Sequence, residues 1–115
     1  MAEAVDKLAV LWTSQDKEVA QKMVFMYTKN SKLRNWWGQV RLIIWGPSAK
    51  LLAADGELQA ELEELKRAGV ELQACKACSD QYGVSEKLAE LGVEVIFMGQ
   101  PLTGYLKGDW EVLSI

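Results

Sequence analysis

Four short, nearly continuous apolar runs recur along the chain, each separated from the next by a stretch of helical periodicity, and this alternation leaves few folds open. Lys7 to Thr13 (KLAVLWT) ends in polar residues, and Val40 to Trp45 (VRLIIW) is stopped by Gly46-Pro47. Val70 to Ala74 (VELQA) leads straight into a cysteine, and Val93 to Met98 (VEVIFM) stops at Gly99. Runs of this length bounded by glycine and proline fit strands covered on both faces, as in parallel sheets. A last segment, Trp110 to Ile115, carries Val112, Leu113 and Ile115 and can add an edge strand.

The intervening segments read as helices. Ser14 or Asp16 can cap the first, which places Val19, Met23, Met26 and Tyr27 on one face and continues or restarts through Leu33 to Trp37, ending at Gly38. The clearest helix begins at an Asp55 cap, has Glu57 in its first turn, and repeats Leu58, Leu62 and Leu65. Lys66 and Arg67 then meet the negative end of its dipole, and Gly69 closes it. A further helix runs from a Ser85 cap through Leu88 and Leu91 to Gly92. The resulting β-α-β-α-β-α-β order, with a fifth strand at the end, predicts a three-layer α/β/α fold of flavodoxin-like architecture. Its mostly parallel sheet has four to five strands and right-handed crossovers. At 115 residues the chain is the size of one domain, and residues 1–115 are read as that.

The charge balance narrows the partners. A formal net charge of -3, with lysine and arginine spread among acids, argues against a nucleic-acid backbone as ligand. Only Lys29 to Arg34 forms a small basic cluster, which reads as a solvated helix end. No apolar run approaches the ~20 residues that span a bilayer. Met1 to Asp6, which includes Glu3 and Asp6, lacks the basic start and apolar core of a signal peptide. The expected location is the cytoplasm, where two cysteines are expected to be thiols.

Histidine is absent, which removes Ser-His-Asp and Cys-His catalysis and most catalytic zinc sites. The acids lie mainly on helical surfaces, where a solvated face accounts for them. What remains is Cys75-Lys76-Ala77-Cys78. Zinc needs about four ligands, and a second C-x-x-C or a histidine is missing, so no metal or cofactor is expected. Disulfide exchange needs only the two cysteines, although neither Pro47 nor Pro101 is placed like the proline loop that accompanies a thioredoxin-type motif. Two small buried residues would be the purely structural reading.

Position favours chemistry. In open α/β sheets, sites gather beyond the carboxyl ends of the strands, here Thr13 to Asp16, Gly46 to Ser48, Cys75 to Tyr82 and Gly99 to Thr103. Ser14, Gly46, Ser48, Lys76 and Gln100 are accordingly candidate binding residues, and Cys75 and Cys78 the candidate reactive pair. A helix starting near Cys75, with Lys76 adjacent, would favour a thiolate, whereas Asp80 would oppose it unless turned to water. Gly46-Pro47-Ser48-Ala49-Lys50 lacks P-loop spacing and reads as a turn with a Ser48 cap, or as an anion-accepting helix start. Of the five tryptophans, Trp12 and Trp45 are expected in the core. Trp36 and Trp37 cannot both face one core, so one is expected to contact another subunit.

The segments KLAVLWTSQD, VRLIIWGPSAKLL, LKRAGVELQACKACSDQYGV and VEVIFMGQPLTGYLKGDWEVLSI together resemble the DsrE/DsrF-like family of small sulfur-relay proteins, over essentially the whole chain. The strongest stretch is GVELQAC, with Gly83 eight residues after Cys75. The resemblance implies that Cys75, after the third strand, accepts sulfane sulfur as a persulfide and passes it on. It also implies a short helix before a final strand in LTGYLKGDWEVLSI, homo-oligomers (trimers or hexamers), and donor and acceptor proteins. Cys78 is not part of the family's general acceptor pattern. Two other readings stand beside this one: a ligand- or partner-binding module without catalysis, and a Cys75–Cys78 dithiol redox protein.

Overall fold

The expected apolar segments form five strands, β1 (Lys7–Trp12), β2 (Gln39–Ile44), β3 (Glu71–Cys75), β4 (Glu94–Ile96) and β5 (Glu111–Ser114). The computed structural model describes residues 6–115, so the reading of the first residues as lacking a signal peptide lies, Asp6 apart, outside the described residues. The sheet order is β4-β3-β2-β1-β5, and every pairing is parallel. The fold is α/β, as the alternation predicts.

The order has a direct consequence for the helices. Successive steps from β1 to β4 move the same way across the sheet, so right-handed crossovers put their helices on one face. The return from β4 to β5 moves the opposite way and puts its helix on the other face. The packing follows this rule. On one face, Ala20, Val24, Phe25, Leu52, Leu58, Leu62, Leu65 and Leu88 share a core with Leu8, Val10, Trp12, Leu42, Ile44 and Ala74. On the other, Tyr105 and Leu102 pack with Ala9, Ile43, Cys75 and Met98.

Between β1 and β2 lie α1 (Lys17–Val19), a π-helical turn (Ala20–Val24) and α2 (Phe25–Leu33). Asp16 is the cap, accepting from the Val19 N–H at 3.1 Å. The apolar face differs from the sequence expectation. Ala20, Val24, Phe25, Thr28 and Ser31 are buried, while Met23 and Met26 are exposed. The wide π turn interrupts the 3.6-residue phase, and the buried face is set by Phe25, whose ring meets Trp12 edge-on at 5.1 Å. The helix also stops at Leu33 rather than running to Trp37. Trp37 packs against the first core and Trp36 is 54 % exposed.

After β2, Gly46 takes φ +73° and ψ −139°, a backbone region open essentially to glycine, and Pro47 opens α3 (Pro47–Ala54). Ser48 does not cap this helix. Its buried hydroxyl donates to the Trp12 carbonyl at 2.6 Å and accepts from the Trp45 N–H at 3.2 Å, tying the ends of β1 and β2 together. The helix α4 (Gly56–Ala68) matches its sequence signals: Asp55 accepts from the Leu58 N–H at 3.0 Å, and Gly69 ends it in the left-handed conformation.

Next come α5 (Lys76–Tyr82) and α6 (Ser85–Glu90). Ser85 is not the cap of α6; Val84 occupies that position, and the Ser85 hydroxyl instead donates to Asp80 Oδ1 and meets Ser79 Oγ at 2.6 Å. The last helix, α7 (Gly99–Lys107), precedes β5. At the far edge β4 is shorter than the apolar run VEVIFM: Phe97 leaves the sheet exposed, and Met98 turns inward as the cap residue of α7. An edge strand has one partner, and the pairing ends with Cys75↔Ile96.

Leu62 is buried at the centre of the first core. Leu62→Ala is expected to lower unfolding stability by about 2–5 kcal/mol, read as a reduced denaturant midpoint with an unchanged slope.

Candidate functional site

The topology marks one divergence. The outgoing connection of β3 leads to the face of α6 and that of β4 to the face of α7, so the two chains diverge beyond the carboxyl ends of these neighbours. Such a divergence is where open α/β sheets place their ligands. Cys75 is the last residue of β3, at that point, and is also the residue that caps α5. Strand alternation turns its side chain to the face of α7, against Ala9, Ile43, Met98 and Tyr105. It is a free thiol, 4 % exposed.

Cys78, one turn into α5, is half-buried and also free. Burial is the main influence pushing its thiol above the ordinary range. The Gly46 N–H opposes this, the neighbouring Cys75 thiol adds to it, and the Trp45 side chain opposes it. The structure thus brings Cys75, Cys78 and Gly46 together, and adds Trp45 beside the sulfur.

Other expected positions stand differently. Lys76 does not reach toward the sulfurs: its ammonium pairs with Asp80 Oδ2 at 2.7 Å and lies 5.5 Å from the centre of the exposed Phe97 ring. Lys76 and the Ser85 hydroxyl together hold the Asp80 carboxyl below its usual range. Ser48 is committed to the β1 and β2 main chains. Ser14 accepts from the Asp16 N–H at 3.1 Å beyond β1, two strands away from Cys75. Gln100 is exposed in the first turn of α7.

A polar chain under α7 was not foreseen from the sequence. Arg41 Nη1 donates to the Tyr105 hydroxyl at 2.7 Å, which donates to Gln73 Oε1 at 2.8 Å, and Gln73 Nε2 donates to Glu94 Oε1 at 2.9 Å. Arg41 also pairs with Glu71 and stacks 4.7 Å from the centre of the Trp110 ring. Burial opposes the Arg41 charge, but the bonds to Glu71 and Tyr105 outweigh it and raise its pKa. The sign of this network was present in the strands themselves: Arg41, Glu71 and Gln73 occupy alternating positions on the face of Cys75.

Among the described residues, no three His, Cys, Asp or Glu side chains are grouped to hold a metal ion, and no helix is long and apolar enough to cross a membrane. A cavity of about 500 Å³ beside β5 is lined by Leu8, Tyr27, Trp37, Glu111, Val112 and Leu113, and so lies away from both cysteines.

The model of the DsrE/DsrF-like family matches residues 8–113, from the second residue of β1 almost to the end of β5. The chain belongs to the DsrE/DsrF-like family. A conserved protein of unknown function, BT1422 from Bacteroides thetaiotaomicron, is 43 % identical, with a TM-score of 0.93 over 96 % of this chain and 95 % of that one. Two further solved structures share the fold at lower identity. The MTH1491 protein of unknown function from Methanobacterium thermoautotrophicum is 21 % identical, with a TM-score of 0.69 over 96 % of this chain and 100 % of that one. The ychN protein from E. coli is 18 % identical, with a TM-score of 0.67 over 96 % and 99 %. No curated protein matches the sequence.

The thiolate is the reactive form of cysteine, so a raised pKa slows Cys78 near neutral pH. Iodoacetamide is expected to label Cys78 of the folded Cys75→Ser protein more slowly than the unfolded chain, with a rate still climbing at pH values where the unfolded thiol has levelled off. Trp45→Phe removes an opposing influence and should slow labelling further. Equal rates for folded and unfolded protein would contradict the assigned environment.

Proposed function

We propose that this protein is a sulfur carrier in which Cys75 accepts sulfane sulfur as a persulfide and passes it on. The observation that carries this reading is the position of Cys75 at the carboxyl end of β3, where the connections leaving β3 and β4 part. Membership of a sulfur-relay-type family supports it. The Cys75 thiolate attacks the outer sulfur of a donor persulfide; a new S–S bond forms on Cys75, the donor's S–S bond breaks, and the donor leaves as a thiolate. An acceptor thiolate then takes the outer sulfur by the same exchange. The apolar surroundings of Cys75, with Met98, Ile43 and Tyr105, shield the bound sulfur from water. Donor and acceptor are proteins that insert a sulfur at this strand end, and the setting is the cytoplasm.

The low exposure of Cys75 and the raised pKa of Cys78 favour a second reading, a binding module of the same fold with unreactive thiols. The two separate on treatment with a small persulfide donor. By intact mass the sulfur carrier gains one sulfur atom and Cys75→Ser gains none at that site. Equal loading of wild type and Cys75→Ser would defeat the role of Cys75, and no loading of either would leave the binding module.

We also propose that the protein works as a homo-oligomer, a trimer or hexamer. Exposed apolar side chains at Phe97 and Leu106, on the thinly covered face of the sheet, and at Trp36 and Met26 on the opposite side, are the surfaces it would cover. Sedimentation equilibrium is expected to give three or six times the monomer mass, and Phe97→Glu or Trp36→Glu to reduce it. A wild-type monomer at micromolar concentration would refute the proposal.

A further inference from the structure

Sulfur can leave a persulfide in two ways. Attack on the outer sulfur moves sulfane sulfur to a new owner, whereas attack on the inner sulfur expels the outer one as hydrosulfide. Which route is followed depends on whether a second thiol stands beside the inner sulfur.

Cys78 stands there. Cys75 is the cap residue of α5, and Cys78 follows it by three positions, the spacing at which a cap side chain and one in the first turn face each other. Helical neighbours three apart have Cβ atoms roughly 5–6 Å from one another, and a disulfide needs them at about 3.8 Å. The remaining approach is small and falls to the two side chains, because Cys75, at φ −73° and ψ 113°, is held by its pairing with Ile96 at the end of β3. The body of α5 is meanwhile pinned to α6 by the Ser79–Ser85 contact. Both sulfurs belong to one apolar cluster with Trp45. Cys75 is the deeper and Cys78 the more exposed of the two thiols.

Resting on the reading of Cys75 as the persulfide carrier, we propose that Cys78 converts the carried sulfur to hydrosulfide. The Cys78 thiolate attacks Sγ of the Cys75 persulfide. The Cys75–Cys78 bond forms, the bond from Sγ to the outer sulfur breaks, and the outer sulfur leaves as HS⁻. The outer sulfur gains two electrons and the two cysteines lose them; the proton released by the Cys78 thiol passes to solvent, which can protonate the hydrosulfide. A small-molecule or protein dithiol then reduces the disulfide by exchange, becoming a disulfide itself and restoring both thiols. The product is sulfide, one per turnover, and the co-reactant is a dithiol. Gly46 and Trp45, next to Cys78, are positioning residues for the attacking sulfur.

The experiment loads reduced full-length protein with glutathione persulfide, removes the excess, and follows intact mass and released sulfide together. Wild type is expected to gain one sulfur atom and then fall to the mass of the reduced chain less two hydrogens, with one sulfide released per chain. Cys78→Ser, with Cys78→Ala as a second variant should the first fold poorly, is expected to load equally. It should retain the added sulfur and release sulfide at least ~10-fold more slowly, as loss of the intramolecular thiol requires. Trp45→Phe, once loaded, should release more slowly at neutral pH, with its rate recovering at higher pH. Release from Cys78→Ser at the wild-type rate, or a stable persulfide on wild type, would overturn this inference while leaving Cys75 as carrier. Failure of both chains to load would overturn the carrier reading itself.

Discussion

The direction in which the chain walks across its sheet governs the rest of the molecule. Three successive right-handed steps from β1 to β4 stack α1 through α4 and α6 over a single face. A fourth step in that direction would continue the stack. The chain instead returns past three strands to pair β5 with β1, and α7 must then cross the opposite face. One reversal therefore creates the second layer, makes it thin, and opens the divergence between β3 and β4. Cys75 acquires its setting from a topological fact, not from any local motif. A cysteine at the end of β1 or β2 would have lain between connections that run to the same side.

A face covered by one nine-residue helix cannot be held by apolar contact alone. Among the described residues, the first core buries side chains from four helices and the π turn, while the second gathers Ala9, Ile43, Cys75, Met98 and Tyr105 as its buried members. The chain from Arg41 through Tyr105 and Gln73 to Glu94 supplies the difference. Its bonds cross from β2 to α7, back to β3 and on to β4, so that α7 is registered against three strands at once. Its buried members, Gln73 and Tyr105, cost more when left unpaired than they gain when paired. The network thus acts chiefly by penalising any other placement of α7, and with it any other placement of the cover on Cys75.

What was legible in the sequence follows the same division. Strands and the helix α4 could be read because their signals are local: apolar runs stopped by glycine, an Asp55 cap, leucines in phase and a closing Gly69. The parallel sheet followed from alternation alone. The face of α1 and α2 was misplaced because a π turn is a departure from the period on which the reading depends, and the bulk of Phe25 against Trp12 settles it in three dimensions. Ser48 and Ser85 carried correct capping chemistry but found stronger partners in the Trp12 carbonyl and in Asp80. Lys76 has the right charge next to a cysteine, yet a carboxylate four residues on claims it. Trp45, read only as core, contacts the sulfur because Gly46 bends the chain just after it. No spacing rule announces that.

The depth of the two sulfurs bears on what chemistry this site can do. A buried thiol with no charged neighbour is a poor trap for small oxidants, whereas a persulfide is more acidic and more nucleophilic than its parent thiol. A site that hides the first sulfur and leaves the second near the surface favours holding over exchanging. It also biases the way out. An external acceptor has to reach a sulfur carried on a residue that is 4 % exposed, whereas Cys78 already lies in the same apolar cluster. The raised pKa of the Cys78 thiol would slow the proposed internal step near neutral pH and so lengthen the life of a persulfide on Cys75. Burial of Cys75 and the raised pKa of Cys78 share one cause, the apolar end of the sheet in which both sulfurs sit.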